Sequence, residues 1–185
     1  MKSIYIFLTR TESITSKIVR FFTNDKYTHS AIAFDKELFY LYSSGRKNGI
    51  KMFPAGPCQE SLNRGFYQRD PHTPCVIYEL PVSDEAFKAA RKEVEVFMAN
   101  IDDYKFSVLG IAACKFGIRW TRKNKYFCSQ FVAQILRTSG ATELPKPDCL
   151  MRPLDYSKLD GITKIFEGTI GQLKEEIKQK KAATV

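Results

Sequence analysis

Apolar positions along this chain switch between a spacing of two and a spacing of three to four, and each switch marks an element. Residues 4–8 are β-branched or aromatic and predict a first strand. Ile14, Ile18, Val19, Phe21 and Phe22 recur at helical spacing and predict a helix over 12–23, capped near Thr11 or Ser13. Thr28 to Phe34 predicts a second strand, Asp35, Lys36 and Glu37 a polar turn, and Leu38 to Ser43 the returning strand of a hairpin. Residues 44–49 predict a loop. Residues 54–74, with Pro54, Pro57, Pro71 and Pro74, predict a long connection of the kind that often carries function.

Cys75 to Leu80 is apolar enough for a central strand. Asp84 to Met98 predicts a helix capped by Ser83, with acidic residues in its first turn. Residues 104–118 predict a shorter helix. From Cys128 to about Thr138 the apolar positions Cys128, Phe131, Val132, Ile135 and Leu136 follow the i, i+3, i+4, i+7, i+8 stripe of a helix with one buried face. Ser139 and Gly140 end it. Pro145, Pro147 and Pro153 predict an extended segment, Asp155 to Leu159 a single turn, and Thr163 to Glu167 a last strand. The lysine-rich end from about 175 reads as a frayed helix or flexible tail. With no repeat and no linker, residues 1–185 read as one domain.

Composition narrows the class. No apolar run approaches the roughly 18 residues of a membrane span. The short apolar run after Met1 and Lys2 falls below the about 7 residues of a signal peptide's apolar region, so the expected location is the cytoplasm. The five cysteines (Cys58, Cys75, Cys114, Cys128 and Cys149) are odd in number and form no C-x-x-C pair. Reduced thiols fit this better than a disulfide framework or a zinc site. The net charge of +9 favours peripheral contact with anionic surfaces. No nucleic-acid motif accompanies it, so a nucleic-acid partner is not expected. Nothing indicates a metal or an organic cofactor.

The candidate chemistry centres on Cys128. A cysteine on the first turn of a helix lies near unpaired N–H groups and the positive end of the dipole, which favour a thiolate. The same N–H groups suit the oxygen of an attacked carbonyl. The plainer reading is a small buried core residue. Only His29 and His72 can supply an imidazole base. His72 lies between Pro71 and Thr73 and reads as an exposed loop residue. His29 starts the second strand and shares a face with Ala31 and Ala33, whose small side chains let a helix approach closely. The Cys128 helix is the expected neighbour, which would bring thiol and imidazole together as nucleophile and base. A three-residue hairpin turn would set Ser43 opposite His29, able to fix its tautomer. A two-residue turn would set Tyr42 there. Ser129 and Gln130 read as substrate contacts or solvated positions. Tyr27 and Tyr126 read as oxyanion donors or as aromatic flanks of core segments.

A strand carrying Thr28 and His29, a hairpin, and much later a helix opening Tyr126-Phe127-Cys128-Ser129-Gln130-Phe131-Val132 resembles the circularly permuted papain-like hydrolases. These are the permuted NlpC-type (YiiX-like) proteins, relatives of lecithin–retinol acyltransferase. The segment from Tyr42 to Asn48 also looks like one in bacterial members of that group, and the resemblance covers roughly residues 3–170. It implies an α+β fold, a small antiparallel sheet packed against helices that include the Cys helix. It also implies thiol chemistry on an amide or ester, with Cys128 as nucleophile and His29 as base. Many permuted members carry a glutamate on the strand after the histidine strand. Here Leu38 to Ser44 has no acid. Either Ser43 or a backbone carbonyl orients His29, or activity is weak or lost. The expected activity is amide hydrolysis through an acyl-enzyme, on a small amide or a cell-wall-type peptide. The alternatives are acyl transfer or lipid-ester hydrolysis, and a non-catalytic binding module.

Overall fold

Six antiparallel strands organise the chain in the order β4-β3-β2-β1-β5-β8. They are β1 (Lys2–Thr9), β2 (His29–Ala33), β3 (Leu41–Arg46), β4 (Ala55–Glu60), β5 (Pro74–Val82) and β8 (Thr163–Thr169). The helices are α1 (Phe66–Arg69), α2 (Asp84–Ala99), α3 (Val108–Lys115), α4 (Cys128–Thr138) and α5 (Ile170–Ala182). Two-residue strands β6 (Lys105–Phe106) and β7 (Lys125–Tyr126) pair in parallel. The computed structural model describes residues 2–10, 26–46 and 55–183. The helix predicted over 12–23, the end of the loop predicted over 44–49, and Pro54 lie outside the described residues.

The architecture is mixed α+β, with apolar packing on both sheet faces. On one face Ile4, Ile6, Leu8 and Ile32 meet Phe87 and Val94 of α2 and Phe131, Val132 and Ile135 of α4. On the other, Tyr5, Phe7, Ala31 and Ala33 meet Tyr67 of α1 and Ile170 and Leu173 of α5. A strand covered on both faces needs apolar residues without interruption, which is why Ile4 to Leu8 show no polar break. The lysine-rich end, read as a frayed helix or flexible tail, continues α5 to Ala182. Thr169 caps that helix in a reciprocal box with Gln172.

The helix predicted over 104–118 is shorter, Val108–Lys115, behind strand β6, and the sheet departs from the sequence reading in two places. The connection after β2 is longer than a tight turn. Leu38 takes a left-handed conformation (φ 54) and is buried with Leu41 beneath the sheet, so β3 starts at Leu41. Ile32 therefore pairs with Tyr42, a register that brings Gly45, not Ser43 or Tyr42, level with His29. The second is β4, which lies inside the segment read as a long connection. Its sequence, Ala-Gly-Pro-Cys-Gln-Glu, lacks β-branched residues. Pro57 is tolerated because β4 is an edge strand with one unpaired side.

Candidate active site

The site forms where the start of β2 meets the start of α4. Cys128 is the first residue of α4, and Phe127 before it supplies no side-chain cap. The first N–H groups of the helix are thus left without a side-chain partner. Position is fixed from several sides. The Ser44 hydroxyl donates to the Tyr126 carbonyl at 2.8 Å, tying β3 to the approach to the helix. The Tyr156 hydroxyl donates to the Ser129 carbonyl just past the cysteine. Phe131, Val132, Ile135 and Leu136 are fully buried, which locks the helix against the sheet. Their burial contributes roughly 1.5–3 kcal/mol per side chain.

The helix does not lie on the face that the sequence reading chose. α4 packs on the Ile32 face, and Ala31 and Ala33 face the opposite cluster with Tyr67, Ile170 and Leu173. Thiol and imidazole meet instead at the end of the strand. The Cys128 sulfur lies 4.0 Å from the Thr28 carbonyl oxygen, and the neighbouring His29 imidazole draws the thiol's pKa down. His29 Nε2 faces both Glu60 oxygens, at 3.1 and 3.2 Å. The Tyr67 hydroxyl donates to Glu60 Oε2 at 3.1 Å and fixes the carboxylate.

Electrostatics follow from this chain of contacts. Burial opposes a charged His29, but the Glu60 carboxylate and the adjacent thiol outweigh it and raise the imidazole well above its ordinary value. Burial likewise opposes a Cys128 thiolate, yet the His29 hydrogen bond and charge lower its pKa, with a smaller contribution of the same sign from Ser30. Both shifts favour the imidazolium–thiolate form of the pair. The other four cysteines are shifted the opposite way: burial raises Cys58, Cys75, Cys114 and Cys149. All five are free thiols.

Glu60 is the site residue that sequence reasoning missed. Ser43, expected to orient the imidazole, instead donates its hydroxyl to the Ser30 carbonyl at 2.7 Å. Gly45 lies beside the pair: a Cβ there would meet His29 Cε1 at 3.5 Å and Glu60 Oε1 at 3.6 Å, ordinary van der Waals contact. The Tyr27 hydroxyl donates to Glu167 at 3.0 Å, on the far strand β8. Ser129 and Gln130 are buried rather than solvated. Tyr126 packs edge-on against Phe97, with ring centroids 5.3 Å apart. Tyr126 and Gln130 line a groove of about 460 Å³ with Gln134 and Arg137, and Cys128 is not part of its wall. His72 is exposed.

Among the described residues no group of three His, Cys, Asp or Glu side chains could hold a metal ion, and no helix is long and apolar enough to cross a membrane. No family model matches the chain, and no curated protein matches it. Function must therefore be read from the chemistry of the site itself.

Proposed function

We propose that this protein is a cysteine hydrolase that cleaves amide bonds through a thioester acyl-enzyme, on a circularly permuted papain-like fold. The observation that carries the reading is the His29 imidazole, hydrogen-bonded to the Glu60 carboxylate at 3.1 Å and near enough to the Cys128 thiol to lower its pKa. Nucleophile, base and orienting acid are the parts a thiol hydrolase needs. The chain order, histidine strand before cysteine helix, fits the permuted arrangement.

In this mechanism the Cys128 thiolate adds to the carbonyl carbon. N–H groups of the first turn of α4 hold the oxyanion, a contribution of about 3 kcal/mol per donor in enzymes of this type. The tetrahedral species collapses, the C–N bond breaks, and the His29 imidazolium gives its proton to the leaving amine. Neutral His29 then takes a proton from water, which attacks the thioester and releases the acid and the thiolate. Glu60 stays ionised throughout and stabilises the imidazolium.

Mass analysis after reaction with p-nitrophenyl acetate tests this reading. The expected result is one acetyl group on Cys128, absent in Cys128→Ser and much slower to form in His29→Ala. Acetylation spread over surface lysines with Cys128 untouched would leave a non-catalytic module as the better reading.

A further inference from the structure

Among the described residues, five of the eight large apolar side chains exposed to solvent fall between 108 and 120. They are Val108 (42%), Leu109 (55%), Phe116 (68%), Ile118 (57%) and Trp120 (39%). Val108 and Leu109 point outward from α3 and Phe116 follows at its C-terminal cap, while Gly110, Ile111, Ala113 and Cys114 are buried beneath. Residues 115–123 are all exposed. The segment is nonetheless held in place. The N–H of Ile118 donates to the Ala113 carbonyl at 2.9 Å, and Ile111 and Cys114 pack on Phe127, the residue before the nucleophile.

The charge of this region is equally one-sided. Between Asp103 and Glu143 the chain has seven lysines and arginines and no acidic residue. Five of these, Lys115, Arg119, Arg122, Lys123 and Lys125, interleave with the exposed Phe116, Ile118 and Trp120. Arg122 lies over the Trp120 ring, 5.9 Å from its centre. Cations alone would suit any polyanion, and apolar side chains alone would suit a protein. The combination matches the water–hydrocarbon boundary of an anionic bilayer, where aromatic rings sit at headgroup depth and Lys and Arg meet lipid phosphates.

We propose that the α3 face and the segment 115–125 form a membrane-docking surface for anionic phospholipid. Phe116, Ile118 and Trp120 enter the headgroup boundary, and the flanking cations hold the lipid phosphates. Because this surface is rooted on Phe127, docking brings the opening of the Cys128 helix close to the membrane. The inference concerns binding and does not depend on the reaction proposed above.

Trp120 is the chain's sole tryptophan, so its fluorescence reports on this surface directly. The experiment adds vesicles of phosphatidylcholine, with and without phosphatidylglycerol, to the full chain. The expected result is a blue shift of Trp120 emission, quenching by brominated acyl chains, and co-sedimentation. All three should require phosphatidylglycerol and weaken at high salt. Phe116→Ser with Ile118→Ser should weaken partitioning about tenfold or more, with circular dichroism unchanged. Arg119→Gln, Arg122→Gln and Lys123→Gln together should remove most of the salt dependence. Failure to bind anionic vesicles at low salt would overturn the proposal. So would binding without a blue shift, or binding unchanged in the serine variant, since either would place contact elsewhere, for example at the lysine-rich α5.

Discussion

Replacing Glu60 by Gln isolates the electrostatic role of the carboxylate. The amide keeps the size of the side chain and can still accept from Tyr67, but it removes the negative charge 3.1 Å from His29 Nε2. Unit charges about 4 Å apart at an effective dielectric of about 20 attract by about 4 kcal/mol, equivalent to ~3 pKa units. The side chains of His29 and Glu60 are 15% and 20% exposed, so some solvent screens the pair. A fall of about 1–2 units in the His29 pKa is the expected result. The thiolate loses part of its counter-ion as a consequence, and the Cys128 pKa rises. Proton NMR can follow the imidazole directly, because His72 is the sole other histidine and a His72→Ala background removes it. Alkylation of Cys128 near neutral pH should slow about tenfold or more, the change expected as its thiolate fraction falls by a comparable factor. An unchanged His29 titration in a folded Glu60→Gln variant would refute the reasoning, since no buried charge pair of this geometry can be neutral in its effect.

Three further outcomes follow. Ser43→Ala removes the hydrogen bond to the Ser30 carbonyl and should cost about 1 kcal/mol in denaturant unfolding, yet leave the pH profile of Cys128 alkylation in place. Gly45→Val should fold but lose alkylation at low pH, because its methyls extend past a Cβ already 3.5 Å from His29 Cε1; rapid alkylation at pH 6 in this variant would contradict the packing described. The third concerns stability against pH. His29, raised above its ordinary 6.5 to about 10, contributes stability in full below pH 6.5, and this is lost as pH rises through about 10. Cys128, lowered from its ordinary 9.0, contributes in full above pH 9, and this is lost as pH falls. The two changes oppose each other between those values, so stability should hold near pH 7–8 and drop from pH 9 to 10, a drop that His29→Ala removes in urea unfolding series.

The parts of the fold legible in the sequence are those with a strong period. Phe131, Val132, Ile135 and Leu136 mark the α4 helix, Ser83 marks the start of α2, and the β-branched and aromatic run Ile4 to Leu8 marks the first strand. The acid of the site was hidden because Glu60 ends a strand containing glycine and proline, whose local propensity argues against a strand. Pairing with β3 overrides that propensity. The register was hidden for a related reason. It depends on Leu38 turning into the core with positive φ, which hydrophobic spacing does not reveal. The face of β2 that meets α4 was hidden because Ala31 and Ala33 do not say what packs on them: they join the cluster of Tyr67, Ile170 and Leu173, while Ile32 joins the α4 side.

The measurement that bears most directly on the Cys128–His29–Glu60 arrangement is the rate of Cys128 alkylation by iodoacetamide as a function of pH, in wild type and in His29→Ala. The four other thiols are all shifted upward, so modification at pH 6 reports Cys128. The account predicts rapid reaction at pH 6 in wild type and a large loss of that rate in His29→Ala. A slow reaction that rises only near the ordinary thiol pKa of about 8.5, identical in both proteins, would contradict it.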